Sequence, residues 1–194
     1  MTADELKKRY RQLSDQELTR IALKDSKDLR PEALAIMKAE MQRRNLMAEA
    51  SSGIEVQLKE LSTQELLMYC DTIQSLPCPV CSKTTSKLNA ILIGDVVSLF
   101  FITFYEKKLV IACPSCLKDK NQTAKIKSIL FGWWGIGIIT MFKALALNNT
   151  MSKQIDQPYP TSLLENFVIR NVGKIESYKN NPEQLEFMLK HPKV

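Results

Sequence analysis

The stretch CPVCSKTTSKLNAILIGDVVSLFFITFYEKKLVIACPSC, Cys78 to Cys116, decides the fold, because it begins and ends with the same kind of four-residue motif. Each motif places two cysteines three positions apart with proline after the first, and 31 residues separate the motifs. Two sulfurs at this spacing on a tight turn can bind one metal ion together, and a second pair completes a tetrahedral thiolate site. The predicted metal ligands are Cys78, Cys81, Cys113 and Cys116.

Zinc is the cofactor that such a site predicts, with iron as the alternative, since sulfur-only tetrahedral sites also suit iron. Four protein ligands leave no open coordination position, so the metal's role is predicted to be structural. A redox-active pair is a rival, but a lone redox motif does not explain two matching pairs with a recurring proline. Disulfides are the other rival. They need an oxidising compartment, and the N-terminus MTADELKKRY has no signal-peptide core.

The residues between the cysteine pairs predict a small sheet. The segments LNAILI, VVSLFFITFY and KLVIA are rich in β-branched and aromatic residues. Gly94-Asp95 and Glu106-Lys107-Lys108 separate them. We expect three short antiparallel strands that carry the second pair of cysteines back to the first. This arrangement is a zinc ribbon.

Helices are predicted on both sides of this ribbon. Motifs of the S-x-x-E type favour helix starts at Ser14, Ser62 and Ser162, each followed three residues later by glutamate. Pro31 and Pro182 suit the first turns of two further helices. The polar stretch AEASSG, Ala48 to Gly53, favours a linker or turn. Cys70 is predicted to be a small buried hydrophobe on a helix, and His191 a surface side chain.

An apolar run, ILFGWWGIGIITMF from Ile129 to Phe142, follows the second cysteine pair without a single charge. Ser128 to Leu147 supplies twenty residues, interrupted only by Lys143, which is the length of a membrane-spanning helix. Three glycines argue for a break, or for a shallow dip into the bilayer surface. Burial in the fold and docking to a protein stay open. The predicted membrane or partner contacts are Trp133, Trp134, Ile136, Ile138, Ile139 and Phe142.

The net charge of +6 is concentrated just before this run. Residues 118–147 carry five basic side chains and one acidic side chain. This excess favours an anionic neighbour, which could be phospholipid headgroups, nucleic acid or an acidic protein, although a solvated linker has the same composition. The predicted contacts are Lys118, Lys120, Lys125 and Lys127.

The order CPxC, CPxC, lysine-rich stretch and Gly132-Trp133-Trp134-Gly135 resembles a group of largely uncharacterised bacterial zinc-ribbon proteins with a GWWG apolar segment. The resemblance covers Cys78 to Asn149, about a third of the chain. It implies a fold and membrane proximity, but no activity. Two departures stand out. Gly137 and Met141 occupy positions where such proteins often have proline, and Ser82 and Leu117 follow the second cysteines, where glycine is common.

These patterns together predict an α+β chain. It consists of a helical N-terminal region (1–52), a linker helix (53–76), a central β-rich four-cysteine zinc ribbon (77–120), a basic flank with the apolar helical segment (121–150) and a helical C-terminal tail (151–194).

The function class predicted from the sequence is a non-catalytic interaction or scaffold protein at or near the cytoplasmic face of a membrane. A lone tail histidine, no phosphate-binding glycine loop and no nucleophile motif argue against an enzyme and a small-molecule substrate. We expect another protein as partner, and keep the membrane as a candidate. The alternative is a nucleic-acid- or ribosome-associated protein, although no arginine or aromatic residue stands among the four lysines. The expected location is the cytoplasm, with attachment to the inner face of the cytoplasmic membrane left open.

Overall fold

The computed structural model describes residues 2–99, 102–133 and 137–192. In these residues the chain forms nine α-helices and one two-stranded antiparallel sheet, so the α+β class is confirmed. The helices are α1 (Ala3–Gln12), α2 (Asp15–Lys24), α3 (Pro31–Arg43), α4 (Met47–Leu58), α5 (Thr63–Gln74), α6 (Pro114–Phe131), α7 (Gly137–Ser152), α8 (Ser162–Tyr178) and α9 (Pro182–Lys190). The strands are β1 (Asn89–Leu99) and β2 (Ile102–Ala112).

The chain divides into two compact units. Unit 1 comprises Met1–Tyr69 and Val168–Leu185, and unit 2 comprises Cys70–Phe167 and Glu186–Val194. The division falls inside α5, α8 and α9, so neither unit is a continuous stretch of sequence.

Helix starts in unit 1 follow the predicted capping chemistry. The Ser14 hydroxyl accepts a hydrogen bond from the Glu17 amide at 3.3 Å, and the Glu17 carboxylate accepts one from the Ser14 amide at 3.0 Å. Ser62 and Glu65 repeat this arrangement at α5. Both capping boxes are therefore confirmed.

The N-cap of α8 differs from the prediction. Ser162 is already the first helical residue, and the hydroxyl of Thr161 accepts the Leu164 amide at 3.4 Å. Thr161 and Ser162 both carry a hydroxyl group that could cap the helix. Thr161 takes the role because its Oγ1 also donates to the carbonyl oxygen of Ala90 on β1, at 2.7 Å.

The core of unit 1 is formed by α1 to α4, with Leu18, Ala22, Met37 and Met41 fully buried. The end of α3 is fixed by Asn45, which has a φ of 58°. This left-handed residue lets the Leu46 amide donate to the Met41 carbonyl oxygen at 2.9 Å, which ends the helix as a Schellman motif.

Ala48–Gly53, predicted to be a linker or turn, lies inside α4, so that prediction was wrong. The small residues serve helix packing instead. A methyl group at Gly53 would lie 2.2 Å from the Gly173 carbonyl oxygen, and one at Gly173 would lie 2.6 Å from the Gly53 carbonyl oxygen. The two helix backbones touch at these glycines, which leaves no room for a side chain on either.

Unit 2 is organised around a long hairpin and not around three short strands. β1 and β2 pair without interruption from Asn89 opposite Ala112 to Leu99 opposite Ile102. Gly94 and Asp95, predicted to form a turn, pair with Lys107 and Glu106 inside the ladder. They remain in the strand because α7 and α6 bind them: Asn148 hydrogen-bonds both backbone groups of Gly94, and Lys127 forms an ion pair with Asp95.

Candidate metal centre and apolar surface

The first cysteine pair lies on a tight turn that follows α5. The Ser82 amide donates to the Cys78 carbonyl oxygen at 2.7 Å, and the Cys78 amide donates to the Lys83 carbonyl oxygen at 2.9 Å. Ser82 closes the turn with a φ of 58°, the left-handed conformation that usually requires glycine. The residue that departs from the common knuckle sequence therefore keeps the backbone conformation that glycine would adopt.

The second cysteine pair lies on the first turn of α6. Cys113 is the N-cap residue, Pro114 is the first helical residue, and the Leu117 amide donates to the Cys113 carbonyl oxygen at 3.0 Å. Leu117 is helical and fully buried, so no glycine is needed after Cys116. The pairs are thus held by two different elements, a turn and a helix start. A zinc ribbon with two like turns is not confirmed.

The hairpin helps to bring the four sulfurs together, because β2 ends at Ala112, directly before Cys113, and Ala112 pairs with Asn89, which begins β1 eight positions after Cys81. All four Sγ atoms lie within 4.8 Å of one another, and those of Cys81 and Cys113 are 3.7 Å apart. Four thiolates around one zinc ion at ~2.3 Å would lie ~3.8 Å apart. Cys81 is partly exposed and the other three are buried. This cluster is compatible with a four-coordinate metal ion.

Hydrogen bonds in the cluster favour thiolate over thiol at Cys113. Burial raises the pKa of Cys113, but hydrogen bonds from Ser115 and Cys116 outweigh it and lower the pKa to about 6. The Cys113 amide also points to the Cys78 sulfur at 3.4 Å. Burial raises the pKa of Cys116, and the hydrogen bonds and negative charges of the neighbouring cysteines raise it further, to about 12. A bound metal ion would supply a positive charge that favours the thiolate form of all four ligands.

Replacing Ser82 by glycine should stabilise the metal-bound protein by ~0.5 to 1 kcal/mol. A left-handed conformation costs a non-glycine residue roughly 1–2 kcal/mol, part of which is offset by glycine's greater freedom in the unfolded chain. Urea unfolding and hydrogen exchange of the β1 amides both measure this change in the free energy of unfolding. Ser82→Ala is the matched control, and it should be no more stable than the wild type. A loss of stability in Ser82→Gly would contradict this prediction, because it would show that the left-handed conformation of Ser82 does not cost the protein stability.

The two helices after the cysteines, α6 and α7, expose many of their large apolar side chains. We call this set the apolar surface: Ile126, Ile129, Leu130, Phe131, Trp133, Ile138, Ile139 and Phe142, all exposed. The end of α6 and the start of α7 lie at the hairpin tip, since a Cβ atom on Gly137 would sit 2.0 Å from the Ser98 hydroxyl oxygen. Trp133, Ile138, Ile139 and Phe142 are thus outside the core, and Trp134 and Ile136 lie outside the described residues.

The buried sides of the same helices are mostly small and polar, with Leu117 and Met141 as the large apolar exceptions. Asn121, Ala124 and Ser128 face inward on α6, and Ala144 and Asn148 face inward on α7. Asn121 donates to the Asn148 carbonyl oxygen at 3.0 Å, and the Ser128 hydroxyl accepts the Val96 amide at 3.1 Å. A helix on the surface of a globular protein usually buries its apolar side chains and exposes its polar ones. The sequence analysis missed this network, whose only signal was the polar residues Asn121, Ser128 and Asn148 on either side of the apolar run.

No helix in the described part of the chain is long and apolar enough to cross a membrane. The single helix from Ser128 to Leu147 that would be needed is not formed, because α6 ends at Phe131 and α7 begins at Gly137. The break at the glycines, which the sequence left open, is the arrangement that the structure has.

The four lysines predicted to contact an anionic surface lie on α6 and differ in their partners. Lys118 pairs with Asp156 at 2.8 Å, Lys127 pairs with Asp95, and Lys125 donates to the Ser152 hydroxyl at 3.1 Å. Lys120 has no carboxylate partner among the described residues and lines a groove beside β2. Three of the four therefore bind acceptors in the chain itself.

Two further residues singled out by the sequence lie where it predicted. Cys70 is completely buried, and this burial, with a smaller effect of Glu165, raises the pKa of its thiol to about 11. His191 is exposed, and its ring contacts the ring of Phe187 at a centroid distance of 5.0 Å.

No family model, curated protein or solved structure matches this chain. The resemblance based on the CPxC and GWWG motifs stays a prediction, and function has to be argued from the site.

Proposed function

We propose that this chain is a non-catalytic interaction protein in which a structural zinc ion holds unit 2 together and the apolar surface docks on the cytoplasmic face of a membrane. The observation that carries the proposal is the arrangement of α6 and α7, which expose eight large apolar side chains on or next to them and bury mostly small and polar residues, with Leu117 and Met141 as the buried large ones. Bundles in lipid use small and polar residues between helices in this way.

Zinc is the metal proposed for the cysteine cluster. Structural zinc sites are tetrahedral, and four cysteines are one of their standard ligand sets. The sulfur spacing and the burial of three of the four ligands fit such a closed site. The ion would join the turn after α5 to the start of α6, and so fix the base of the hairpin whose tip lies beside the apolar surface.

The proposed contact with the membrane is interfacial and does not span the bilayer. Ile126, Ile129, Leu130 and Trp133 are spaced three or four residues apart, so they form one stripe along α6 and just beyond its end. Apolar residues on a short helix with lysines beside them are typical of segments that lie in the headgroup region. Tryptophan favours that depth because its ring is apolar and its N–H is polar.

Vesicle binding tests this proposal. The double variant Ile139→Ser, Phe142→Ser removes two exposed side chains from the apolar surface, so the fold should be retained. Full burial of such a side chain contributes ~1.5–3 kcal/mol, so partition onto vesicles should fall by at least about tenfold. Co-sedimentation with vesicles of phosphatidylglycerol and phosphatidylcholine measures it.

The matched control removes two exposed apolar side chains elsewhere, as Tyr159→Ser, Ile169→Ser, and should bind like the wild type. If the wild type stays in the supernatant with these vesicles, the membrane part of the proposal is wrong. Equal binding by both double variants would show that the apolar surface is not what contacts lipid. The zinc site is tested separately and can stand in either case.

A further inference from the structure

The two edges of the hairpin in unit 2 differ in how far their backbone groups are hydrogen-bonded by neighbouring elements. At the outer edge of β1, the Gly94 amide donates to Asn148 Oδ1 at 2.9 Å, and Asn148 Nδ2 donates to the Gly94 carbonyl oxygen at 2.7 Å. The Val96 amide donates to the Ser128 hydroxyl, and the Ala90 carbonyl accepts from Thr161. Side chains of neighbouring elements thus occupy this edge at three positions.

These contacts also establish which backbone groups of β2 face outward. Gly94 and Val96 direct their amides away from β2, so the even-numbered residues of β1 face the outer edge, and the odd-numbered ones bond to β2. Because Ile93 pairs with Lys108 and Ile91 with Val110, the even-numbered residues of β2 complete the ladder. The backbone groups of Lys107, Leu109 and Ile111 therefore point away from β1. Lys107 is exposed, whereas Leu109 is 8% and Ile111 1% exposed, so the open part of this edge lies at Lys107.

A groove of about 660 Å³ lies along this open edge. Five consecutive residues of β2, 107–111, line it. Side chains of a strand alternate between two faces, so a cavity that touches five residues in succession runs beside the edge and not over one face. Pro79 and Val80 of the first cysteine turn form another wall, and the segment from Leu189 to Pro192 forms the third. Within the described residues no backbone of another segment bonds to this edge.

The groove is positively charged. Lys107, Lys108, Lys120 and Lys190 line it, and no acidic residue does. Lys108 and Lys190 pair with the exposed carboxylates of Glu106 and Glu186 on their own elements. Exposed pairs of this kind contribute ~0–1 kcal/mol, so both lysines can exchange partners at little cost. An anionic occupant is favoured.

We infer that the open edge of β2 binds an extended acidic segment of a partner protein, which adds a third strand to the hairpin. The outward amide and carbonyl of Lys107, the exposed residue of this edge, would pair with the backbone of the added strand, and the lysines would contact its carboxylates. A nucleic acid would also suit the charge, but it would leave the strand's backbone groups unpaired. Among the described residues that line the groove there is no arginine, and His191 carries the single ring that could stack on a base.

The test uses the zinc-loaded full chain and a fluorescein-labelled peptide in which glutamate and valine alternate over eight residues. Fluorescence anisotropy measures its dissociation constant. The same peptide with alternate backbone amides methylated keeps its charge but cannot pair as a strand. We expect methylation to weaken binding about tenfold, since the two backbone hydrogen bonds at Lys107, of ~0.5–1.5 kcal/mol each, are lost.

Two substitutions at one position separate the backbone from the charge. Lys107→Ala keeps the outward amide, whereas Lys107→Pro removes it, and proline is tolerated where the amide faces an open edge. Lys107→Pro should bind the peptide several-fold more weakly than Lys107→Ala, with the hairpin intact by hydrogen exchange. Lys120→Glu should also weaken binding, and Lys143→Glu, the same charge change outside the groove, should not.

Equal affinity for the methylated and unmethylated peptides would overturn strand addition. No binding of the acidic peptide at all would do the same, and so would tighter binding of an eight-residue oligothymidine, which would assign the groove to phosphate. The inference does not depend on the membrane contact, because none of the groove residues belongs to the apolar surface.

Discussion

Replacing Cys78 by serine is expected to release the metal ion and to unfold the hairpin of unit 2. Metal binding contributes ~10–16 kcal/mol to folded zinc peptides, which is comparable to the whole stability of an ordinary domain. Without the ion, the turn after α5 and the start of α6 would lose their link at the base of β1 and β2. Hydrogen exchange of the amides of both strands should rise to the rate of an unfolded chain.

Cys70→Ala is the matched control, because Cys70 is buried but lies outside the cluster. This variant should keep its metal and most of its stability. Adding a strong zinc chelator to the wild type should reproduce the Cys78→Ser result. Slow exchange of the β1 and β2 amides in Cys78→Ser, in the absence of metal, would show that the hairpin does not need the ion.

Replacing Arg44 by methionine is expected to destabilise unit 1 by ~3–5 kcal/mol. The guanidinium is largely buried and donates to the carbonyl oxygens of Tyr10, Arg11 and Leu13 at 2.8–3.0 Å, which ties the end of α1 to α3. It also donates to Glu40 at 2.7 Å. Methionine would leave the three carbonyls without this donor and the Glu40 carboxylate with one partner fewer. Urea unfolding, with hydrogen exchange of α1, measures the loss.

Arg43→Met is the matched control for this prediction. Arg43 binds the same carboxylate at 2.6 Å, but its side chain is exposed, so its removal should destabilise unit 1 far less than the removal of Arg44. Arg44→Lys should be nearly as destabilising as Arg44→Met, because an ammonium cannot reach these separate acceptors in the planar geometry of a guanidinium. Equal effects of Arg43→Met and Arg44→Met would contradict the role assigned to burial.

The same cluster gives unit 1 a defined acid sensitivity. Hydrogen bonds from Arg43, opposed by burial and reinforced by Arg44, hold the pKa of Glu40 at about 2 against an ordinary value of 4.5. The depressed pKa stabilises the fold above about 4.5, and this contribution is lost as the pH falls towards 2.

Local chemistry made much of unit 1 predictable. Ser14 and Ser62 were identifiable as N-caps because a glutamate stands three residues later in each case. Ala48–Gly53 was misread, because serine and glycine favour turns by themselves, whereas here they allow Gly53 to touch Gly173, 120 positions away in the sequence. A contact of that range leaves no local signal.

The cysteine cluster was predictable from spacing alone, since the motif chemistry requires the four sulfurs to meet. The sequence could not predict that a turn holds one cysteine pair and a helix start the other, because Pro114 fits a turn as well as the first turn of a helix. The hairpin was split wrongly at Gly94 for a similar reason. The side chain that keeps Gly94 in the strand belongs to Asn148 on α7, 54 positions away in the sequence. Which apolar side chains are exposed depends on the buried polar network, so hydropathy alone could not predict it.

The claim that a metal ion stabilises unit 2 is tested most directly by the metal content of the native chain, purified under reducing conditions without added metal. Elemental analysis by mass spectrometry, calibrated against protein concentration, should give one zinc ion per chain. Cys78, Cys81, Cys113 and Cys116 should then resist alkylation until a chelator is added. A folded hairpin in protein that carries no metal, with Cys81 freely alkylated, would contradict the account.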